Sequence, residues 1–254
     1  MGGNDVSEQR SRFETVLKQI QKSVSLVPVI VLGSGASAAY GYAGMAELAG
    51  HLRETIVPDP ADEAKWNEFA SAIAGGMDLE SALQKVVISG PLEKDIIRKT
   101  RELILKQDVE VFHRIIRNDI ILPLGSLLQQ LSRTANQKIK VVTTNYDRLA
   151  EYAIDQAMLS YDNGFDGKYQ KTFRGLHASG DAKIELLKVH GSLDWFLTED
   201  HRVVSLPAHV SDSLEFPPLL VTPGIRKYEH AHNEPFRSII SKADAAFESA
   251  RSIL

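Results

Sequence analysis

The sequence predicts an α/β fold, a Rossmann-like doubly wound parallel sheet with a helical insertion. Three observations carry this expectation. The run VPVIVLG (27–33) is apolar on both faces, as a central parallel strand requires. Further strand-like runs at KIKVVTT (138–144) and KIELLKV (183–189) alternate with segments of helical spacing. Each run stops at small or polar residues that a core does not need.

Bulk properties narrow the function classes. The 254 residues, 43% hydrophobic and 24% charged, suffice for one sizeable domain of ordinary globular composition. A net charge of -4 argues against a nucleic-acid-binding surface, which needs clustered Lys and Arg. The absence of cysteine excludes disulfides, thiolate zinc sites and a Cys nucleophile. No apolar run reaches bilayer length and the first residues lack a signal-peptide pattern, so a cytoplasmic protein without membrane contact is the expectation.

In chain order, residues 1–26 read as an N-terminal arm with helical spacing over 7–23, where Phe13, Val16, Leu17 and Ile20 share a side. The first strand follows at 27–33, then a helix over 45–56. From about 61 to 135 every pattern is helical, and the stretch beginning at Pro91 carries charges at (i, i+4) spacing. A strand returns at 138–147 and a helix follows it. SYDNGFDGKYQKTFRG (160–175), rich in Gly, Asp and Tyr, reads as a loop. KIELLKVHGSLDWFL gives a strand into His190 and then a hairpin through HRVVSL. EFPPLLVTPG gives another strand, residues 235–250 a helix, and ARSIL the start of a further strand.

In doubly wound sheets ligands bind at the carboxyl ends of the strands. Four ends stand out: GSGAS (Gly33–Ser37), TTNYD (Thr143–Asp147), VHGS (Val189–Ser192) and VTPG (Val221–Gly224). Gly33 and Gly35 allow backbone N–H groups to face a phosphate, and a helix N-terminus behind them would favour its charge. The same turn can serve without any ligand: the third glycine of a dinucleotide fingerprint and the P-loop lysine are both missing. Asn145 and Asp147 can cap a helix, His190 can be satisfied by backbone, and Thr222 can simply end its strand. Trp195 suits the core and Asp194 a hairpin. YEHAHNE (228–234) lacks metal-ligand spacing and reads as a solvated turn. The Phe112, Ile115 and Ile116 stripe suits core or an oligomer contact equally.

Taken together, VLGSGAS, VVTTNYDRLAE, LKVHGSLDW and LLVTPGIRK, in this order, resemble the sirtuin (silent information regulator) family. They resemble more closely the sirtuin-like NAD-degrading domains of bacterial anti-phage defence proteins. The resemblance runs from residue 27 to the end. It implies that Gly33, Ser34, Gly35, Ala36 and Ser37 cradle the NAD+ pyrophosphate. It puts Asn145 at the nicotinamide ribose and Asp147 at the nicotinamide end. It makes His190 the catalytic base, and Thr144 and Thr222 further contacts of the dinucleotide.

The implied activity is an NAD+ glycohydrolase releasing nicotinamide and ADP-ribose or a cyclised product. It would act as a defence effector restrained until a sensor domain or companion protein engages it, and working as a homo-oligomer. An NAD- or ADP-ribose-binding module, or a protein deacylase or ADP-ribosyltransferase, are the alternatives. The deacylases' four-Cys zinc module is absent, so no zinc is expected. Gly41, Tyr42, Ala43 and Gly44 stand where sirtuins carry Gly-hydrophobic-Pro-Asp, so the nicotinamide pocket is built differently or closed by something else. The family's adenosine-binding turn would lie beyond Leu254, and the chain reads as the N-terminal part of a longer protein.

Overall fold

The computed structural model describes residues 13–18, 27–86, 88–134, 138–176, 181–207, 216–222 and 232–254. Most of the N-terminal arm, Pro223 and Gly224 of the fourth strand end, and all but the last three residues of YEHAHNE lie outside these. Residues 13–18 are helical.

Four strands form a parallel sheet in the order β1 (Ile30–Leu32), β2 (Ile139–Thr143), β6 (Ile184–Lys188), β3 (Tyr161–Asp162). Beyond β1, Ile253 bridges Val29 in the same parallel sense, with Val31 N donating to Leu254 O at 2.9 Å. Successive residues of a strand face opposite ways, and both faces are apolar here. Ile30, Val141 and Leu186 pack on Leu128 and Leu131 of α6 (Pro123–Thr134) and on Ala150 and Ile154 of α7 (Leu149–Gln156). Their neighbours Val29, Val142 and Leu187 pack on Ile239, Ala243 and Ala246 of α8 (Phe236–Ser249). This is the α/β, Rossmann-like arrangement that the alternation predicts.

Between β1 and β2 the described residues form the helices α1 (Ser34–Ala38), α2 (Met45–Thr55), α3 (Glu63–Ala74), α4 (Leu79–Lys85), α5 (Pro91–Ile116) and then α6. Helices α2 to α5 enclose a core of their own around Leu52, Trp66, Phe69, Leu79 and Ile96. Local signals set their ends: Asp78 caps α4 by accepting from Ser81 N at 2.9 Å, and Pro91 opens α5 after Gly90 at φ +70°. Helix α1 has five residues, too few for the dipole that the glycine turn was expected to exploit.

Two readings are corrected. The 160–175 stretch is no plain loop, because it contains β3, β4 (Phe165–Asp166) and β5 (Lys171–Phe173). Gly164 at φ +86° and Gly167 at φ +135° reverse the chain, while Phe165 packs on Phe173 and Trp195 at ring-centroid distances of 5.3 and 4.8 Å. The fourth strand end does not belong to the parallel sheet. β9 (Pro218–Leu220) lies in a second, antiparallel sheet, β4-β5-β8-β7-β9, with β7 (Gly191–Leu197) and β8 (Val203–Ser205). The cause is Gly191, at φ +89°, which turns the chain out of β6. A Cβ there would stand 2.1 Å from Leu219 O. No helix among the described residues is long and apolar enough to cross a membrane.

Candidate active site at the strand ends

The loop after β2 is built by its own polar residues. Thr143 Oγ1 donates to Leu32 O at 3.0 Å and accepts from Asn145 N at 3.1 Å, which clamps the end of β2 to that of β1. The Asn145 amide nitrogen donates to Gly33 O at 2.9 Å and to Ser37 Oγ at 3.0 Å. A carbonyl can only accept, so this partner fixes which end of the amide faces the glycine corner. Ser37 in turn donates to Asp147 Oδ2 at 2.7 Å, and Asp147 Oδ1 accepts at 3.0 Å from the N–H of Leu149, the first residue of α7. Asp147 thus ties the start of α7 to the Asn145–Ser37 pair. Burial pushes its carboxyl up from the ordinary range, partly offset by the Lys188 charge and the Ser37 hydrogen bond.

A cavity of about 320 Å³ opens beside this loop. Ser34, Ser37, Thr144, Asn145, Asp147 and His190 line it. Asn145 and His190, from the ends of adjacent strands, therefore share one wall system. Ala36 lines a second, smaller cavity of about 190 Å³ across the same Ser37–Asn145–Asp147 partition. Gly33 and Gly35 are exposed alongside, and a Cβ on either would meet nothing within 4 Å. Neither has a positive φ, so the fold requires no glycine at either place. Thr222 is half-buried and outside the lining of either cavity; its neighbour Val221 donates its N–H to His190 O at 2.9 Å.

Further residues complete the walls, and two charged residues behind them, Asp108 and Lys188, are not singled out by the sequence. Tyr42, Ala43 and Gly44 occupy the place of the missing Gly-hydrophobic-Pro-Asp, with Glu80 of α4 opposite. Tyr42 donates its hydroxyl to Asp108 Oδ1 at 3.0 Å. Asp108, 0% exposed on α5, also accepts from Tyr152 Oη at 2.6 Å and from Arg148 N at 2.9 Å, and pairs with the Arg148 guanidinium at 2.5 Å. The only sequence signal for Asp108 is an acidic residue on the buried side of an otherwise charged helix. Lys188, fully buried at the end of β6, is a second omission. Trp195 is wholly buried in the core, and Asp194 accepts from Ser205 Oγ at 2.6 Å across the β7–β8 hairpin. Among the described residues no group of His, Asp and Glu is arranged to hold a metal ion.

Residues 139–246 match the family model of the SIR2-like domain. The matched stretch takes in the Asn145 loop, His190 and most of α8, and leaves the glycine corner outside it. SIR2-like domains are in general NAD-dependent enzymes, so the match supports an NAD-related function. A search of the curated proteins finds no significant match.

Proposed function

We propose, taking residues 139–246 as a SIR2-like domain, that this chain is an NAD+ glycohydrolase cleaving NAD+ to nicotinamide and ADP-ribose. One observation carries the reading. Asn145 and His190 come from different strand ends and line a single cavity with Ser34 and Ser37 of the glycine corner. The open space over Gly33 and Gly35 is what a pyrophosphate lying against backbone would need.

The chemistry asks little of an acid. Breaking the C1′–N bond lets nicotinamide leave as a neutral base with the bonding pair, while positive charge spreads over the ribose C1′ and ring oxygen. Water attacks C1′ and passes a proton to the imidazole of His190, which acts as the general base. The Asn145 amide nitrogen is committed to Gly33 and Ser37, so its Oδ1 serves as the acceptor that orients the water or a ribose hydroxyl. Asp147 works through Ser37 and is a positioning residue. In this reading the domain is the NAD-depleting effector of a defence protein, acting as a homo-oligomer and held quiet until a sensor domain or companion protein engages it.

The test is nicotinamide release from NAD+ by the wild-type chain and by Asn145→Ala and His190→Ala. The expected result is release by the wild type and a loss of at least about 100-fold in each variant, with folding retained. Release at the parent rate by either variant removes that residue from the site. Acyl-lysine peptide turnover in place of NAD+ hydrolysis would make the protein a deacylase.

A further inference from the structure

All five residues of β6 are buried, and the last of them, Lys188, is 0% exposed. A lysine is almost never fully buried unless its ammonium is paired, because taking the charge out of water is strongly unfavourable. Its Nζ donates to the backbone oxygen of Asp147 and to Glu151 Oε1 at 3.0 Å, and lies 3.5 Å from Tyr146 O. Two of these three acceptors are main-chain carbonyls of the loop that carries Asn145. The lysine itself stands two residues before His190.

The backbone ladder cannot do this work. Its last bond between the two strands is Val189 N to Thr143 O at 3.0 Å, after which the 144–148 loop leaves the sheet. Beyond that point the contacts converge from below and from the side. Tyr146 O accepts from Leu193 N at 3.0 Å, and Tyr146 Oη donates to Val221 O at 2.5 Å, while Val221 N reaches back to His190 O. Within this set, Lys188 is the side chain that grips the loop's carbonyls from the His190 strand.

We propose that Lys188 is a positioning residue that holds the Asn145 loop at a fixed distance from His190 through its bonds to the Asp147 and Tyr146 carbonyls. The proposal rests on the glycohydrolase reading of the same site. Displacing one catalytic group by about 1 Å can cost about 100-fold in rate, so a staple at this place acts on turnover, while its buried charge is compensated by Glu151 and the carbonyls it binds. The rival role is simple charge balance for Glu151. The two roles differ in one respect: apolar replacement of a buried ion pair is often harmless to stability, but it cannot restore a donor to the loop carbonyls.

The experiment is the double variant Lys188→Met/Glu151→Leu in the full chain, assayed for nicotinamide release and cooperative unfolding. Expected is a folded protein whose kcat falls about 100-fold with KM within about threefold of the parent. A folded double variant with parent kcat overturns the proposal and leaves Lys188 a charge partner. Amide hydrogen exchange on the wild type supplies a reading independent of turnover and of the variant's folding. The Asn145 and Leu149 amides should exchange as slowly as those of β2, and exchange at free-loop rates overturns the staple. With a wild type inert toward NAD+ the exchange comparison alone decides whether the loop is held.

Discussion

Asp147 shows how one carboxylate can shape both the geometry and the pH response of a site. It accepts from the first N–H of α7 and fixes Ser37, which in turn holds the Asn145 amide. Because burial raises its pKa, the folded chain holds this proton more tightly than the unfolded chain does. Its contribution to stability is therefore fullest below the ordinary carboxylate range and falls as pH rises through the raised value. Asp147→Asn should flatten that part of the stability curve, read as melting temperature against pH. A variant curve parallel to the parent's would show that the carboxyl is not shifted. At this scale the sequence was informative where polar residues interrupt an apolar run: Asn145, Asp147 and His190 all announce themselves so. Lys188 and Asp108 did not, because a charged residue inside a strand or on a charged helix is read as solvated, and only the fold reveals its partners.

At the scale of elements, two glycine sites behave oppositely. At Gly191 the conformation (φ +89°) and the 2.1 Å approach of Leu219 O both exclude a side chain. Gly191→Ala should cost about 2–4 kcal/mol, from backbone strain and overpacking together, seen as a large drop in melting temperature. Gly35→Ala meets nothing within 4 Å and should leave stability nearly unchanged. Should NAD+ lie against that corner, the added methyl weakens its binding, measurable by calorimetry. Equal stability losses at both positions would contradict this division. The same contrast explains which strands were legible. β1, β2 and β6 are apolar runs that any helix-covered parallel strand must be. β3, β4 and β5 have two or three residues each among glycines and aspartates; β3 pairs with β6, and the β4–β5 pair is packed by Phe165 and Phe173, with Phe165 against the distant Trp195.

For the whole molecule, the long helix α5 and the strand-end loop are joined by the buried Asp108. It accepts from Tyr42, Tyr152 and Arg148, residues from the cavity wall and from both ends of the α7 entry. Asp108→Ala would leave Arg148 near a partnerless buried site, with an expected loss of about 3–5 kcal/mol in chemical denaturation. A loss under about 1 kcal/mol would place that pair among the weak, solvent-screened kind. Strand–helix alternation was enough to predict the doubly wound sheet. The β7–β8 hairpin was legible, but the second sheet as a whole was not, because the β5–β8 and β7–β9 pairs join residues far apart in the chain and depend on the exit angle at Gly191.

The central claim is that a dinucleotide lies across the glycine corner with its nicotinamide ribose between Asn145 and His190. A crystal structure of the His190→Ala variant soaked with NAD+ tests it most directly. The account predicts the pyrophosphate over Gly33–Ser37 and the ribose within hydrogen-bonding reach of the Asn145 amide. Density for NAD+ elsewhere on the molecule, with the cavity beside Asn145 holding only solvent, would contradict it.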